Sequence, residues 1–125
     1  MPAPKVLVDS SVWINHLRIP NQQLQAFLGD GRVVSHPFII GELALGSLRA
    51  RKSVIAWLNL LEQLSLASSS EALYFIEEKK LFTCGIGLVD THLLASCLLE
   101  GSTQIWTDDK RLAVVATELD ICLVQ

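Results

Sequence analysis

Four short runs with apolar centres, at residues 5–8, 32–35, 104–107 and 121–124, are separated by longer amphipathic stretches. That alternation narrows the fold more than any other feature. Each run reads as a buried strand. Short buried strands alternating with helices indicate an α/β fold, with a mainly parallel central sheet flanked by helices. Helices are predicted at 10–18 (stopped by Pro20), 21–28 (stopped by Gly29 and Gly31) and 37–48, with Pro37 suited to a first helical position. Further helices are predicted at 53–64, at 71–81 with Ser70 as N-cap, at 88–100 between Gly87 and Gly101, and at 110–118. Residues 65–68 read as a short strand or a link.

A chain of 125 residues suits one domain, taken as 1–125. Half of it is hydrophobic and 18% is charged, which excludes a disordered chain. No apolar run approaches the roughly 18 residues of a membrane span. The first five residues have no apolar signal core, so a cytoplasmic protein is expected. Cys84, Cys97 and Cys122 lie in apolar stretches, without the spacing of a disulfide framework or a zinc site. They read as small buried hydrophobes.

The informative residues are acids in apolar settings. Asp9 directly follows Val6-Leu7-Val8, and the pair Asp108-Asp109 follows Ile105-Trp106-Thr107. If both strands are parallel, these acids share one edge of the sheet, where ligands of such sheets gather. Glu42 lies four residues after Phe38 and three before Leu45. Asp90 lies four after Ile86, three before Leu93 and seven before Cys97. Both are predicted on apolar helix stripes. Carboxylates there are costly unless paired or metal-bound. No lysine or arginine stands at helical pairing distance on either stripe. A hard divalent cation, Mg²⁺ or Mn²⁺, answers that cost and suits phosphoryl chemistry. The net charge of −3 does not argue against an RNA partner once four acids are set aside, because 10 basic residues then face 9 acidic ones.

The order of these motifs resembles the PIN-domain nucleases, and VapC-type toxins in particular. The resemblance rests on Val6-Leu-Val-Asp9-Ser-Ser-Val-Trp-Ile14, Gly41-Glu42-Leu43, Gly87-Leu-Val-Asp90-Thr-His-Leu-Leu-Ala95 and Trp106-Thr-Asp-Asp109-Lys-Arg-Leu112. It spans nearly the whole chain. It implies a metal-dependent endoribonuclease whose acids are Asp9, Glu42, Asp90 and Asp109. It implies that Ser11, where many members have Asn, and Thr107 orient carboxylates or water. It also implies a cognate antitoxin protein, a homodimer, and an RNA substrate of the tRNA or rRNA kind. The apolar surplus agrees with a homodimer. Of the adjacent acids, Asp108 reads as the N-cap of the last helix or a solvent-facing turn residue. Asp109 is then the first helical residue, reaching back to the sheet edge.

Two related readings stand beside the toxin: a solitary RNA-processing nuclease of the same fold, and an inert PIN-fold binding module. A receiver-like phosphoacceptor does not fit, since Val8 precedes Asp9 and acids follow Thr107. An Asp-x-Asp phosphatase fails because Ser11 stands where its second Asp belongs. His92 is predicted to point away from Asp90 around its helix, and His16 and His36 read as surface or cap residues. Trp13, Trp57 and Trp106 read as core or interface, and Arg49, Arg51 and Lys52 as a solvated face.

Overall fold

Val6, Leu7 and Val8 are fully buried in a computed structural model that describes residues 3–123. Their strand, β1 (Lys5–Val8), lies inside the sheet, with a parallel neighbour on each side. On one side is β2 (Val33–Ser35), with Val6 opposite Val33 and Leu7 opposite Val34. On the other is β4 (Thr103–Trp106), with Leu7 opposite Ile105 and Val8 opposite Trp106. The two-residue β3 (Glu62–Gln63) pairs with Val34 and Ser35, giving the order β3-β2-β1-β4, parallel throughout. The run at 121–124 contributes one parallel bridge, Cys122 to Ile105. Two backbone bonds frame it, Ile105 N–H to the Ile121 carbonyl (2.7 Å) and Leu123 N–H to the Ile105 carbonyl (2.8 Å). Val124, the last residue of that expected strand, lies outside the described residues.

The helices are α1 (Ser10–Arg18), α2 (Gln22–Gly29), α3 (Pro37–Leu45), α4 (Arg51–Leu58), α5 (Ser69–Glu78), α6 (Leu88–Glu100) and α7 (Lys110–Glu118). α1 packs on α3, α3 on α4, and α5 on α6. The last two helices keep their expected bounds. Three differences have local causes. α3 stops at Leu45 rather than residue 48, and Ala50 turns the chain through the left-handed region (φ 50°) before α4 starts. α4 stops at Leu58 because residues 62–64 are drawn to the sheet edge, where Leu64 N–H bonds the Ser35 carbonyl at 2.9 Å. The Gln63 amide seals that end by donating to the Leu58 and Leu61 carbonyls. α5 begins earlier than expected because Ser68, not Ser70, caps it, in a reciprocal box with Glu71.

Among the described residues no helix is long and apolar enough to cross a membrane. The three cysteines are unpaired, and burial pushes the Cys97 thiol up to about 12, where it acts as a hydrophobe.

The connection into α6 turns at Gly85, with φ at +80°. A Cβ there would meet the Arg111 side chain 3.1 Å away. Gly85→Ala is therefore expected to destabilise the chain by about 1–2 kcal/mol, from positive-φ strain and displacement of the arginine. Urea unfolding checks this, and an unchanged midpoint refutes it.

Candidate active site

The chain leaves β1 at Asp9, whose backbone N–H donates to the Trp106 carbonyl at 2.9 Å and so ties the residue to β4. Asp9 is 5% exposed. It holds the N-cap position of α1, yet its side chain makes no cap bond. Its carboxylate is engaged across the crevice instead. Ser11 Oγ donates to Asp9 Oδ2 at 2.7 Å, and Thr107 Oγ1 donates to the same oxygen at 2.8 Å. Each hydroxyl in turn accepts a backbone N–H from the turn after β4. Asp108 N–H donates to Ser11 Oγ and Asp109 N–H to Thr107 Oγ1, both at 3.0 Å. A carboxylate oxygen carries no proton and only accepts, so both hydroxyl protons point to Asp9 Oδ2, and the two hydroxyl oxygens stand 3.4 Å apart. The Oδ1 oxygen accepts no hydrogen bond from the described residues.

Asp90 sits in the first turn of α6, half-buried. Its carboxyl is pushed up to about 6, first by burial and then by the negative charges of Asp9, Asp109 and Glu42, while a backbone hydrogen bond from Gly87 pulls the other way. One carboxyl thus feels the other three acids, so α3, α6 and the ends of β1 and β4 bring all four into one electrostatic field.

Glu42 departs from expectation. It lies exposed at the rim of α3, while Ile39 and Leu43 take the buried positions. Phe38, Ile39, Ile40, Leu43, Ala44 and Leu45 surround it in sequence, so periodicity singles out no inner face. Ser10 Oγ donates to Glu42 Oε1 at 3.2 Å. Its carboxyl is still raised, first by partial desolvation and further by Asp9, with the Ser10 bond opposing.

The end of β4 differs by one residue. Asp109, not Asp108, is the N-cap of α7: its Oδ1 accepts the N–H groups of Arg111 (2.9 Å) and Leu112 (3.1 Å). The local turn closed by Thr107 Oγ1 on Asp109 N–H uses one more residue before the helix begins. Asp109 Oδ2 accepts nothing from the described residues. Asp108 is instead held by Asn15, whose Nδ2 donates to Asp108 Oδ2 at 2.8 Å. Sequence reasoning missed Asn15 and Ser10. The signal for Asn15 was available, because it stands four residues after Ser11 and shares its helix face.

His36 caps α3 as expected but is fully buried rather than superficial. Its Nδ1 accepts Phe38 N–H at 3.0 Å, so its proton lies on Nε2, 3.0 Å from Ser96 Oγ. Burial, then His92, lowers it to about 4 and keeps it neutral. His92 is buried against Phe38. His16 Nδ1 accepts Asn21 N–H.

Whether these acids suit a metal is a matter of donor chemistry and pairing. They are all oxygen donors, as a hard divalent ion requires. The ion pairs found among the described residues are those of Lys5 with Glu62 and Glu100, so no lysine or arginine neutralises the site acids there. Among the described residues no three side chains converge as a ready-made ligand set. Four mutually repelling carboxylates with unsatisfied oxygens match the ion in kind, and closing on it requires side-chain rotation.

A second feature lies between α1 and α4. Trp13, Leu17, Val54, Trp57 and Leu58 line an apolar groove of about 250 Å³. Beside it Arg18 and Arg49 edge a further cleft that shares Leu17.

Residues 6–118 match the family model described as PIN domain. The chain is 40% identical over 120 residues to Ribonuclease VapC32 of Mycobacterium tuberculosis, in two strains, covering 96% of this chain and 97% of the relative. Its fold is similar to that of PAE2754 from Pyrobaculum aerophilum (TM-score 0.64, 14% identity, 90% of this chain and 84% of the other). It is also similar to FitAcB from Neisseria gonorrhoeae (TM-score 0.63, 19% identity, 96% of each). These two likenesses concern the fold alone.

Proposed function

Because this chain belongs to the PIN-domain family and is of the VapC type, we propose that it is a metal-dependent endoribonuclease, the toxin of a toxin–antitoxin pair acting in the cytoplasm. The observation that carries the reading is the clustering of acids around Asp90: its carboxyl is raised first by burial and then by Asp9, Asp109 and Glu42, with no cation paired to them among the described residues. The ribonuclease named among its relatives supports RNA as substrate.

Asp9 through Oδ1, Asp90, Glu42, and Asp109 through Oδ2 would hold Mg²⁺ or Mn²⁺. Bound there, the ion supplies a Lewis acid that activates water and offsets charge on the phosphoryl group. The chain does the orienting. Ser11 and Thr107 hold one Asp9 oxygen and leave the other without a hydrogen bond from the described residues. The α7 cap fixes the Asp109 rotamer in the same way. Ser10 steadies Glu42 at the rim.

Cleavage is expected to leave a 5′-phosphate and a 3′-hydroxyl. A metal-free cyclising ribonuclease needs a general base and a general acid at the substrate, most often histidines. Here His36 and His92 are buried in the core, and His16 is tied to Asn21. The test is RNA cleavage with and without chelator. Activity should disappear in EDTA and return with Mg²⁺ or Mn²⁺. Full activity in EDTA, or 2′,3′-cyclic ends, overturns the reading. Retained RNA binding without any cleavage, whatever the metal, would favour the inert binding module.

The apolar groove between α1 and α4, with Arg18 and Arg49 beside it, fits an antitoxin segment with apolar anchors and acidic flanks. Leu73 and Tyr74, both at least 60% exposed on α5, suit the homodimer contact.

A further inference from the structure

Asp108 is an exposed acid beside the site that the nuclease reading leaves without a task. Its side chain points to α1, where Asn15 Nδ2 donates to its Oδ2 at 2.8 Å. Its own N–H donates to Ser11 Oγ, and the next N–H, of Asp109, donates to Thr107 Oγ1. Those two N–H groups fix where the hydroxyl oxygens of Ser11 and Thr107 stand, with their protons on Asp9 Oδ2. The hydroxyls in turn decide which oxygen of Asp9 stays free. Asn15 and Ser11 stand one turn apart on one face of α1, so that helix holds the turn at both a side chain and a backbone atom.

We infer that Asn15 and Asp108 form a positioning clamp that holds the 107–109 turn against α1, and so presents Asp9 Oδ1 and Asp109 to a divalent cation. The inference rests on the metal-dependent reading above. The clamp acts on geometry more than on stability. One hydrogen bond between exposed side chains contributes little to folding. Groups that directly touch a metal ligand typically alter affinity 10- to 100-fold. The clamp is one step further out, so a loss of roughly 3- to 10-fold is expected.

The alternative for Asp108 is that it binds the ion itself. The conservative variant separates the two. Asn at 108 keeps an oxygen that accepts from Asn15, but it brings no charge to a metal.

The experiment measures Mn²⁺ affinity by calorimetry for the full chain, for Asn15→Ala, Asp108→Ala and Asp108→Asn, and for the double variant Asn15→Asp with Asp108→Asn. Amide exchange at Asp108 and Asp109 is followed in the metal-free chains. Asn15→Ala and Asp108→Ala should bind Mn²⁺ roughly 3- to 10-fold more weakly, exchange both amides faster, and lower kcat while leaving KM for RNA unchanged. Their Tm should move by no more than about 5 °C. Asp108→Asn should bind like the parent. The double variant, which rebuilds the bond in the opposite direction, should bind Mn²⁺ more tightly than either alanine variant. Parental affinity and exchange in both alanine variants overturns the clamp. Loss in Asp108→Asn as deep as in Asp108→Ala also overturns it, and makes Asp108 a ligand. A parent chain that binds no Mn²⁺ overturns the nuclease reading itself, and the clamp's purpose with it.

Discussion

Asp9→Asn should lower RNA cleavage on the order of 10³-fold while the chain stays folded. The expected size follows from how the carboxylate is held. Two hydroxyl protons converge on Oδ2. In the asparagine variant they select the amide oxygen for that place, because a hydroxyl proton cannot donate to an NH₂ group. The NH₂ then faces the position where Oδ1 stood. The variant thus loses a negative oxygen and gains a donor where a cation ligand belongs. Both bonds to the hydroxyls survive, so unfolding stability should change by no more than about 1 kcal/mol. Cleavage rates at saturating Mn²⁺, with circular dichroism as the folding control, decide it. A variant that cleaves like its parent removes Asp9 from the site.

Asp90→Asn should also abolish most cleavage, yet make the metal-free chain more stable. The Asp90 carboxyl rises from 3.8 to about 6 on folding. Between those values the folded chain keeps a proton that the unfolded chain has released, so stability falls as pH rises through that window. Above pH 6 the cost is fully present. Below about pH 4 the residue is neutral in both states and costs nothing through its charge. That rise corresponds to about 3 kcal/mol, and partial exposure reduces it to about 1–2 kcal/mol. In EDTA, the variant should therefore melt higher than the parent at pH 7.5 and like the parent at pH 4. Added Mn²⁺ should narrow or reverse the gap, because the ion binds the parent's folded state better. A variant less stable than the parent at pH 7.5 in EDTA contradicts a carboxyl raised by burial and by its acidic neighbours.

The strands and the site acids differed in how legible they were. Asp9 could be read because an apolar run of residues buried on both faces ends on it. Asp90 could be read because α6 carries its apolar residues in register with it. The face of Glu42 could not, since α3 is apolar nearly all round and Leu45 is 91% exposed at its end. The stop of α4 was also hidden. The residues at 59–64 have the pattern of a helix, and only the free edge of β2 draws them into a strand. The choice between Asp108 and Asp109 as cap turned on a side-chain bond from Thr107, a one-residue effect that spacing does not encode. Ser10 belongs to the same class: its partner, Glu42, comes from another element, and no local pattern names it.

The parallel sheet also governs when the candidate site is assembled. Parallel neighbours cannot be joined by a tight turn, and here the two strands that flank the crevice lie at opposite ends of the chain. The bond from Thr107 to Asp9 closes a loop of 98 residues. Contacts of that separation form late, after the entropy of closing the loop has been met. A growing polypeptide that has released β1, β2 and most of its helices has Ser11 but still lacks Thr107, the second donor to Asp9. It also lacks Asp109. Chains that end before β4 are therefore expected not to cleave RNA, because the candidate site is complete only when the whole domain is present.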